Sequence, residues 1–421
     1  MRLEELAGSA VNCFLLLAAW LFITVPSPAE SSTRTPAIIC PPDAPAMVKL
    51  AAKEVRRYVC LRTGELLPMA NNGEGITLQV NKNLAAQQYR LPNNGRPLAL
   101  NGGSAVAVLY GAYDLAEKLG VRFYLHGDVI PDRKIAFALP RVDETHGPLF
   151  ETRGILPGHD FPEGPDWWNQ DDYLAYLSPL AKLRMNFIGL HCYPEGVGPE
   201  PLVWIGLTND LAPNGRVRFS YSAFWANTLN GAWGYAPMRT DEFCGGAALL
   251  FPGGDYGPNV MQGLLPRTAT QEQDNELFNR VGELFHVITA AARELGIKTC
   301  IGTETPLTIP KALQEHLKQL GKNPDDPAVR RELYTGMFKR IAQLYPVDYY
   351  WLWTPENWTW SGNTPAQFAK TTGDIQVALD ALKSLDEPFT LATCGWVLGP
   401  QQNRAALDEF LHRTERNDRG T

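Results

Sequence analysis

The chain has no basic stripe, no paired-cysteine motif, no nucleotide loop and no zinc-protease spacing, and each absence removes a class of function. Its net charge is −7, with acids and bases interspersed, so nothing in the charge pattern points to nucleic acid. Gly102-Gly103-Ser104 precedes a predicted helix, but Gly-x-x-x-x-Gly-Lys and the dinucleotide fingerprint are both missing, which argues against nucleotide binding. The seven cysteines are scattered, without CxxC, which leaves no zinc-ribbon framework. The histidines form neither HxH nor HExxH. A metal centre made of His159, His191 and carboxylates therefore has no spacing behind it.

Long apolar runs are equally scarce. Val11–Val25 is the exception, apolar apart from Asn12 and Thr24 and followed by Ser27-Pro28-Ala29. It is short for a membrane span and reads as an export signal over residues 1–29, or as an uncleaved anchor. Export permits disulfides, and Cys40 and Cys60 are candidates to bridge a strand to its neighbouring helix.

What the chain does have is tryptophan, tyrosine, glycine and proline: 11, 15, 37 and 33 residues respectively. The densest aromatic stretch is Asp348–Trp360, DYYWLWTPENWTW. Tyr349–Trp353 reads as a buried strand. It stops at Thr354-Pro355 and then presents Glu356 and Asn357 among Trp353, Trp358 and Trp360. Indole faces stack on the C–H faces of sugar rings. A carboxyl group in apolar surroundings is held protonated more readily and can donate its proton. The plainer alternative is a core strand whose Glu caps a turn.

Residues 35–145 read as a small α+β unit. Thr35–Cys40 is a strand and Asp43–Arg62 an amphipathic helix, with Lys49, Lys53, Glu54, Arg56 and Arg57 on its outer side and Gly64 ending it. Ile76–Val80 is a strand. Tyr89–Leu91 and Pro97–Leu100 form a hairpin around Asn93-Asn94-Gly95. Ala105–Leu119 is a helix, and Val121–Leu125 and Lys134–Leu139 are strands.

From Phe150 strands alternate with helices, the grammar of a parallel sheet with crossovers. Predicted strands are Glu151–Leu156, Asn186–His191, Lys298–Gly302, Asp348–Trp353 and Phe389–Cys394. Predicted helices are Asp171–Arg184, Gln271–Leu295, two within 310–343, Asp374–Ser384 and Asn403–Arg413. A Gly/Pro/aromatic insertion occupies about 194–268. These make five strand–helix units, where a closed (β/α)8 barrel has eight. The fold class expected over 150–421 is therefore α/β, a TIM-type barrel cut off after its fifth unit, with an open α/β sheet as the alternative.

In a barrel, ligands meet the C-terminal ends of the strands. Those ends offer His159 and Asp160, His191, Glu304, Glu356 with Asn357, and Trp396, with Arg153 inside the first strand. Glu304 and Glu356 follow neighbouring strands, and glycosidases use two carboxyl groups about the scissile bond. A buried Arg153 would need a partner, which makes it a candidate to hold a hydroxyl or carboxylate. Each has a plainer role: Glu304 on loop backbone, His191 in the core, His159 and Asp160 in solvent. Trp167, Trp168, Trp204, Trp225 and Trp233 lie in loops expected over the same face.

The stretches AAKEVRRYVCLRTGELLP and PLALNGGSAVAVLYGAYDLAEKLGVRFYLHGDVIP resemble the α+β domain that precedes the barrel in α-glucuronidases and β-hexosaminidases. Glu54, Tyr58, Thr63-Gly64, Gly102–Ser104, Tyr110-Gly111 and Leu119–Tyr124 carry the resemblance. Glu151–Gly154 resembles the first barrel strand of those enzymes, which implies a sugar-binding role for Arg153. Lys182–Phe187 is similar to their passage into the second strand. The resemblance places Glu356 where their general acid is expected. It departs at Pro355, which stands where hexosaminidases have the Asp of an Asp-Glu pair, and this tilts the expectation toward an α-glucuronidase-like enzyme. That expectation is an exported, cofactor-independent glycosidase with a carbohydrate substrate. Its catalytic residues would be Glu356 and Glu304, and its sugar-binding residues Arg153, His159, Asp160, His191, Trp353, Asn357, Trp358 and Trp396. The alternative is a non-catalytic carbohydrate-binding protein.

Overall fold

The computed structural model describes residues 36–92, 98–157, 168–192, 202–221, 270–356, 358–394 and 404–418. The export signal, His159, Asp160, Asn357 and Trp396 lie outside the described residues. Among the described residues no helix is long and apolar enough to cross a membrane. Residues 36–421 form one compact unit.

The first elements are strand β1 (Ala37–Ile39), helix α1 (Ala46–Thr63), β2 (Met69–Ala70), β3 (Gly75–Val80), β4 (Tyr89–Pro92) and β5 (Ala99–Gly102). Helix α2 (Ala105–Lys118), β6 (Arg122–Tyr124), β7 (Gly127–Val129) and β8 (Asp143–His146) follow. One sheet has the order β2-β1-β3-β5-β4-β8, and β6 pairs with β7 as a separate hairpin. Strands β1, β3 and β5 run parallel, while β4 pairs antiparallel with β5 and β8. Helices α1 and α2 pack on the sheet and on each other, burying Val48, Val55, Val108 and Leu115 against Ile38, Ile76, Leu78 and Leu100. Gly64 ends α1 in the left-handed region at φ 85°, its N–H donating to the Cys60 carbonyl, as the Cβ-free residue can. The Ser104 hydroxyl caps α2 by accepting the Ala107 N–H. A Cβ on Gly102 would lie 2.4 Å from the Val108 nitrogen, and one on Gly103 1.9 Å from the Ala85 carbonyl oxygen. These glycines serve close packing of the helix start on the chain.

Several expectations need correction here. Lys134–Leu139 is not a strand. Between Pro131 and Pro140 the chain runs irregularly, the Ile135 N–H donating to the Arg62 carbonyl. The edge strand is instead the polar Asp143–His146. Glu54, expected outside, is buried. Cys40 and Cys60 are free thiols, so no bridge joins β1 to α1.

The second sheet is built from β9 (Gly154–Ile155), β10 (Phe187–His191), β11 (Lys298–Glu304), β12 (Tyr349–Trp353) and β13 (Thr390–Cys394). All neighbours are parallel and the order is β13-β12-β11-β10-β9. A strand order that follows the sequence without reversing is that of consecutive barrel units, whereas a doubly wound sheet reverses at a switch point. The helices are α3 (Gln170–Lys182), α4 (Gln271–Glu294), α5 (Lys311–Gln319), α6 (Pro327–Leu344), α7 (Trp358–Ser361), α8 (Pro365–Lys383) and α9 (Arg404–Asp418). Asn169 and Thr364 begin α3 and α8 with reciprocal capping boxes, each satisfying two otherwise orphaned N–H groups. The predicted strand Glu151–Leu156 contracts to two paired residues. The predicted helix Asp374–Ser384 extends back to Pro365.

The insertion does not lie wholly over the strand ends. Its described part, 202–221, packs on the helical layer. The Tyr345 hydroxyl donates to the Leu202 carbonyl, and Asn279 of α4 accepts the Val217 N–H. Trp204 is 1% exposed and donates its indole N–H to the Phe219 carbonyl. It is a core residue of that layer.

Candidate active site

Side chains alternate across a strand, and register sorts them here. Ile188, Leu190, Ile301, Tyr350 and Leu352 point into the apolar layer beneath the helices. Tyr350 meets Phe338 of α6 edge-on at 5.0 Å, and its hydroxyl shares a hydrogen bond with Thr303. The opposite face therefore carries Phe187, Gly189 and His191 on β10, Cys300, Gly302 and Glu304 on β11, and Tyr349, Trp351 and Trp353 on β12. Pairing sets His191 against Gly302, Gly302 against Trp351, and Glu304 against Trp353.

The two glycines make room for large rings. A Cβ on Gly189 would meet the Trp351 indole at 2.3 Å. A Cβ on Gly302 would stand 2.3 Å from the Trp351 Cβ and 2.9 Å from Trp353 Nε1. In that space the His191 and Trp353 rings approach to 4.2 Å, tilted by 33°, across the intervening β11. Trp351 meets Trp353 edge-on at 5.3 Å, and Phe187 lies 5.5 Å from Trp351. A glycine inside a strand is the sequence mark of such an approach, and it was the signal available for Gly189 and Gly302.

Glu304 is the last residue of β11, and Glu356 follows the end of β12 by three positions. Both are half-buried. The Trp358 N–H closes on the Pro355 carbonyl, so Glu356 sits in a turn. Thr305 ties the two exits together, its N–H and hydroxyl both donating to the Trp353 carbonyl, at 2.6 and 3.1 Å. Behind it, buried Asp374 accepts the Leu307 N–H at 2.8 Å, the Tyr334 hydroxyl at 2.6 Å and the Arg330 Nε at 2.6 Å. Arg330 also donates to the Leu307 carbonyl. Sequence reasoning did not single out Asp374, because it stood at the start of the predicted helix Asp374–Ser384, where an acid reads as a helix-start residue; the helix in fact begins at Pro365. Burial pushes the Cys300 thiol well up, so this neighbour on the same face stays protonated and is no nucleophile.

Arg153 and Trp358 are placed elsewhere. The Arg153 guanidinium donates to the carbonyls of Arg184, Phe150 and Glu151 and lies over the Tyr110 ring. Its backbone pairs with Asn186, one residue before β10. This is the N-terminal edge of the strands, five residues or roughly 16–17 Å along the sheet from the end that carries His191. Its partners are backbone oxygens. Trp358 is 3% exposed and stacks on Phe368 of α8. Trp168 packs against Tyr173 and Tyr176.

Asp114, Glu144 and His146 gather on α2 and β8 with their ligand atoms close together. Lys118 lies 2.6 Å from Glu144, and Arg184 3.7 Å from Asp114. Protein cations thus take the place a metal ion would fill, and the group belongs to the first sheet rather than to the strand ends.

No family model matches this chain, and no curated protein does. Solved structures align with much of it at TM-scores under 0.5. A GH138 enzyme targeting pectin rhamnogalacturonan II is 15% identical, with a TM-score of 0.48 over 83% of this chain. The GH20 β-N-acetylhexosaminidase of Streptomyces coelicolor A3(2) is 16% identical, with a TM-score of 0.49 over 86%. A GH20 exo-β-N-acetylglucosaminidase of Vibrio harveyi is 14% identical, with a TM-score of 0.46 over 85%. The chain spans 42, 62 and 51% of their respective lengths.

Proposed function

We propose that this chain carries the catalytic face of an exported glycoside hydrolase acting on a terminal sugar, α-glucuronidase-like in substrate. The observation behind it is the placement of Glu304 at the C-terminal end of β11 and of Glu356 three residues past the same end of the neighbouring parallel β12, next to the strand ends where the His191 and Trp353 rings meet. Glu356 protonates the leaving oxygen as the glycosidic bond lengthens toward an oxocarbenium-like state. Glu304 serves as the second carboxylate, acting on water or on the sugar. Both rings of the pair are buried, so they back the carboxylates and shape the apolar surroundings of the site instead of standing as an open platform. Pro355 before Glu356 favours a uronide over an N-acetylhexosaminide, since the chain lacks the Asp that would steer an acetamido group. No cofactor is needed for this chemistry.

The test is hydrolysis of aryl glycosides and glucuronoxylan oligosaccharides by the wild type, Glu356→Gln and Glu304→Gln. Loss of a positioned acid is expected to lower turnover by about 10²–10⁴-fold. Wild-type turnover that persists in Glu356→Gln rules out that residue as the acid. A second reading, carbohydrate binding without catalysis, is favoured by one observation: Arg153, the expected sugar-holding cation, is taken up by backbone carbonyls. Calorimetric binding of a glycan without turnover in any protein would select it.

A further inference from the structure

A cleft of about 740 Å³ lies between the β6–β7 hairpin and the length of α3, lined by none of the strand-end residues. Helix α3 faces it with Asp172, Ala175, Tyr176, Pro179 and Lys182, one stripe at helical spacing. Ala175 and Pro179 are short, so the stripe is a trough rather than a ridge. Tyr176 meets Trp168 at 4.4 Å with a 48° tilt, forming an aromatic wall at one end.

The floor is charged but balanced. Lys182 Nζ lies 2.8 and 2.9 Å from the two carboxylate oxygens of Asp128, which also accepts the Tyr58 hydroxyl at 2.6 Å. Arg57 lies 3.8 Å from Glu54 and 4.0 Å from Asp128. Asp172 accepts the Asn169 N–H in its capping box. Each cation already faces a carboxylate, so no surplus of either sign draws an anionic or cationic ligand. A lipid would leave these charges in contact with hydrocarbon, at high cost. The volume falls within the usual range for ligand sites. A lining that pairs aromatic faces with hydrogen-bonding groups and carries no net charge suits a neutral polyhydroxylated chain.

We propose that this cleft binds a short neutral oligosaccharide, with sugar rings against Trp168 and Tyr176 and hydroxyls toward the Lys182–Asp128 pair. The site is separate from the strand-end carboxylates, and the ligand class follows from its own lining. Xylohexaose, cellohexaose and N-acetylchitohexaose are titrated by calorimetry into Glu356→Gln protein, alone and combined with Ala175→Arg or Tyr176→Ala. Ala175 is exposed, so the arginine fills the trough without touching the core. At least one sugar is expected to bind, with one binding event weakened at least tenfold by either substitution. Titrations unchanged by both substitutions, or no heat from any sugar, overturn the proposal. Aryl-glycoside turnover by Ala175→Arg in the otherwise wild-type protein is expected to be unchanged, so failure here is distinguishable from failure of the strand-end reading.

Discussion

The missing Cβ of Gly302 lets the rings of His191 and Trp353 meet across a strand that belongs to neither. Gly302→Ala drives a methyl group to within 2.3 Å of the Trp351 Cβ. The rings must shift, and overpacking of this kind costs about 1–3 kcal/mol. Urea denaturation is expected to show a lower midpoint, with sugar binding weakened in parallel, and an unchanged midpoint counts against the crowding. Glu54 gives a residue-scale effect of another kind. Burial raises its carboxyl above the ordinary range, against the pull of Arg57 and Lys182. The folded protein then holds a proton that the unfolded chain has released. Stability is therefore lost as pH rises from the ordinary carboxylate range through the raised value. Glu54→Gln removes that slope. Melting temperatures of the two proteins are expected to lie closest near about pH 4 and to diverge in the variant's favour toward neutrality. Divergence in the opposite direction would show that the two cations outweigh desolvation.

Among the elements, the loop after β11 is held by a buried acid on a distant helix. Asp374 is 2% exposed at its side chain and Arg330 11%. Removing one partner leaves a buried charge unpaired, which costs roughly 3–5 kcal/mol. Asp374→Ala is expected to lower the denaturation midpoint. It should also reduce turnover, because Leu307 and the Thr305 tie stand between it and Glu304; full activity in a folded variant would separate the loop from the site. The strands that frame the site were legible because apolar and aromatic residues dominate β10 and β12 and β-branched residues (Thr299, Ile301, Thr303) fill one face of β11. Edge elements were not. Asp143–His146 has no apolar alternation to announce it, while Lys134–Leu139 has apolar residues that pack on the core without pairing. Arg153 shows the same limit at the site: an arginine beside a strand looks the same in sequence whether it serves a ligand or caps backbone oxygens. Glu304, His191 and Trp353 could be read as one group because strand ends in a parallel sheet share a side, a rule that needs only the order of elements.

Across the molecule, the two sheets are sewn together by polar contacts at α3 and its exit. Lys182 reaches Asp128, Arg184 pairs with Glu117, and Arg153 covers Tyr110. A seam of this kind couples the two sheets thermodynamically. Scanning calorimetry is expected to show one transition for the wild type, with Lys182→Ala, which removes the closest cation of the half-buried Asp128, lowering it or dividing it in two. Two well-separated transitions in the wild type would mean that the seam transmits little.

The edge-on contact of Trp351 with Trp353 also has an optical meaning. Two indoles held close at a large angle share their electronic excitation, and the handed arrangement makes the shared state rotate polarised light. The face that would receive a sugar therefore carries its own chromophore: a ligand that moves either ring would change the circular dichroism directly, without a label.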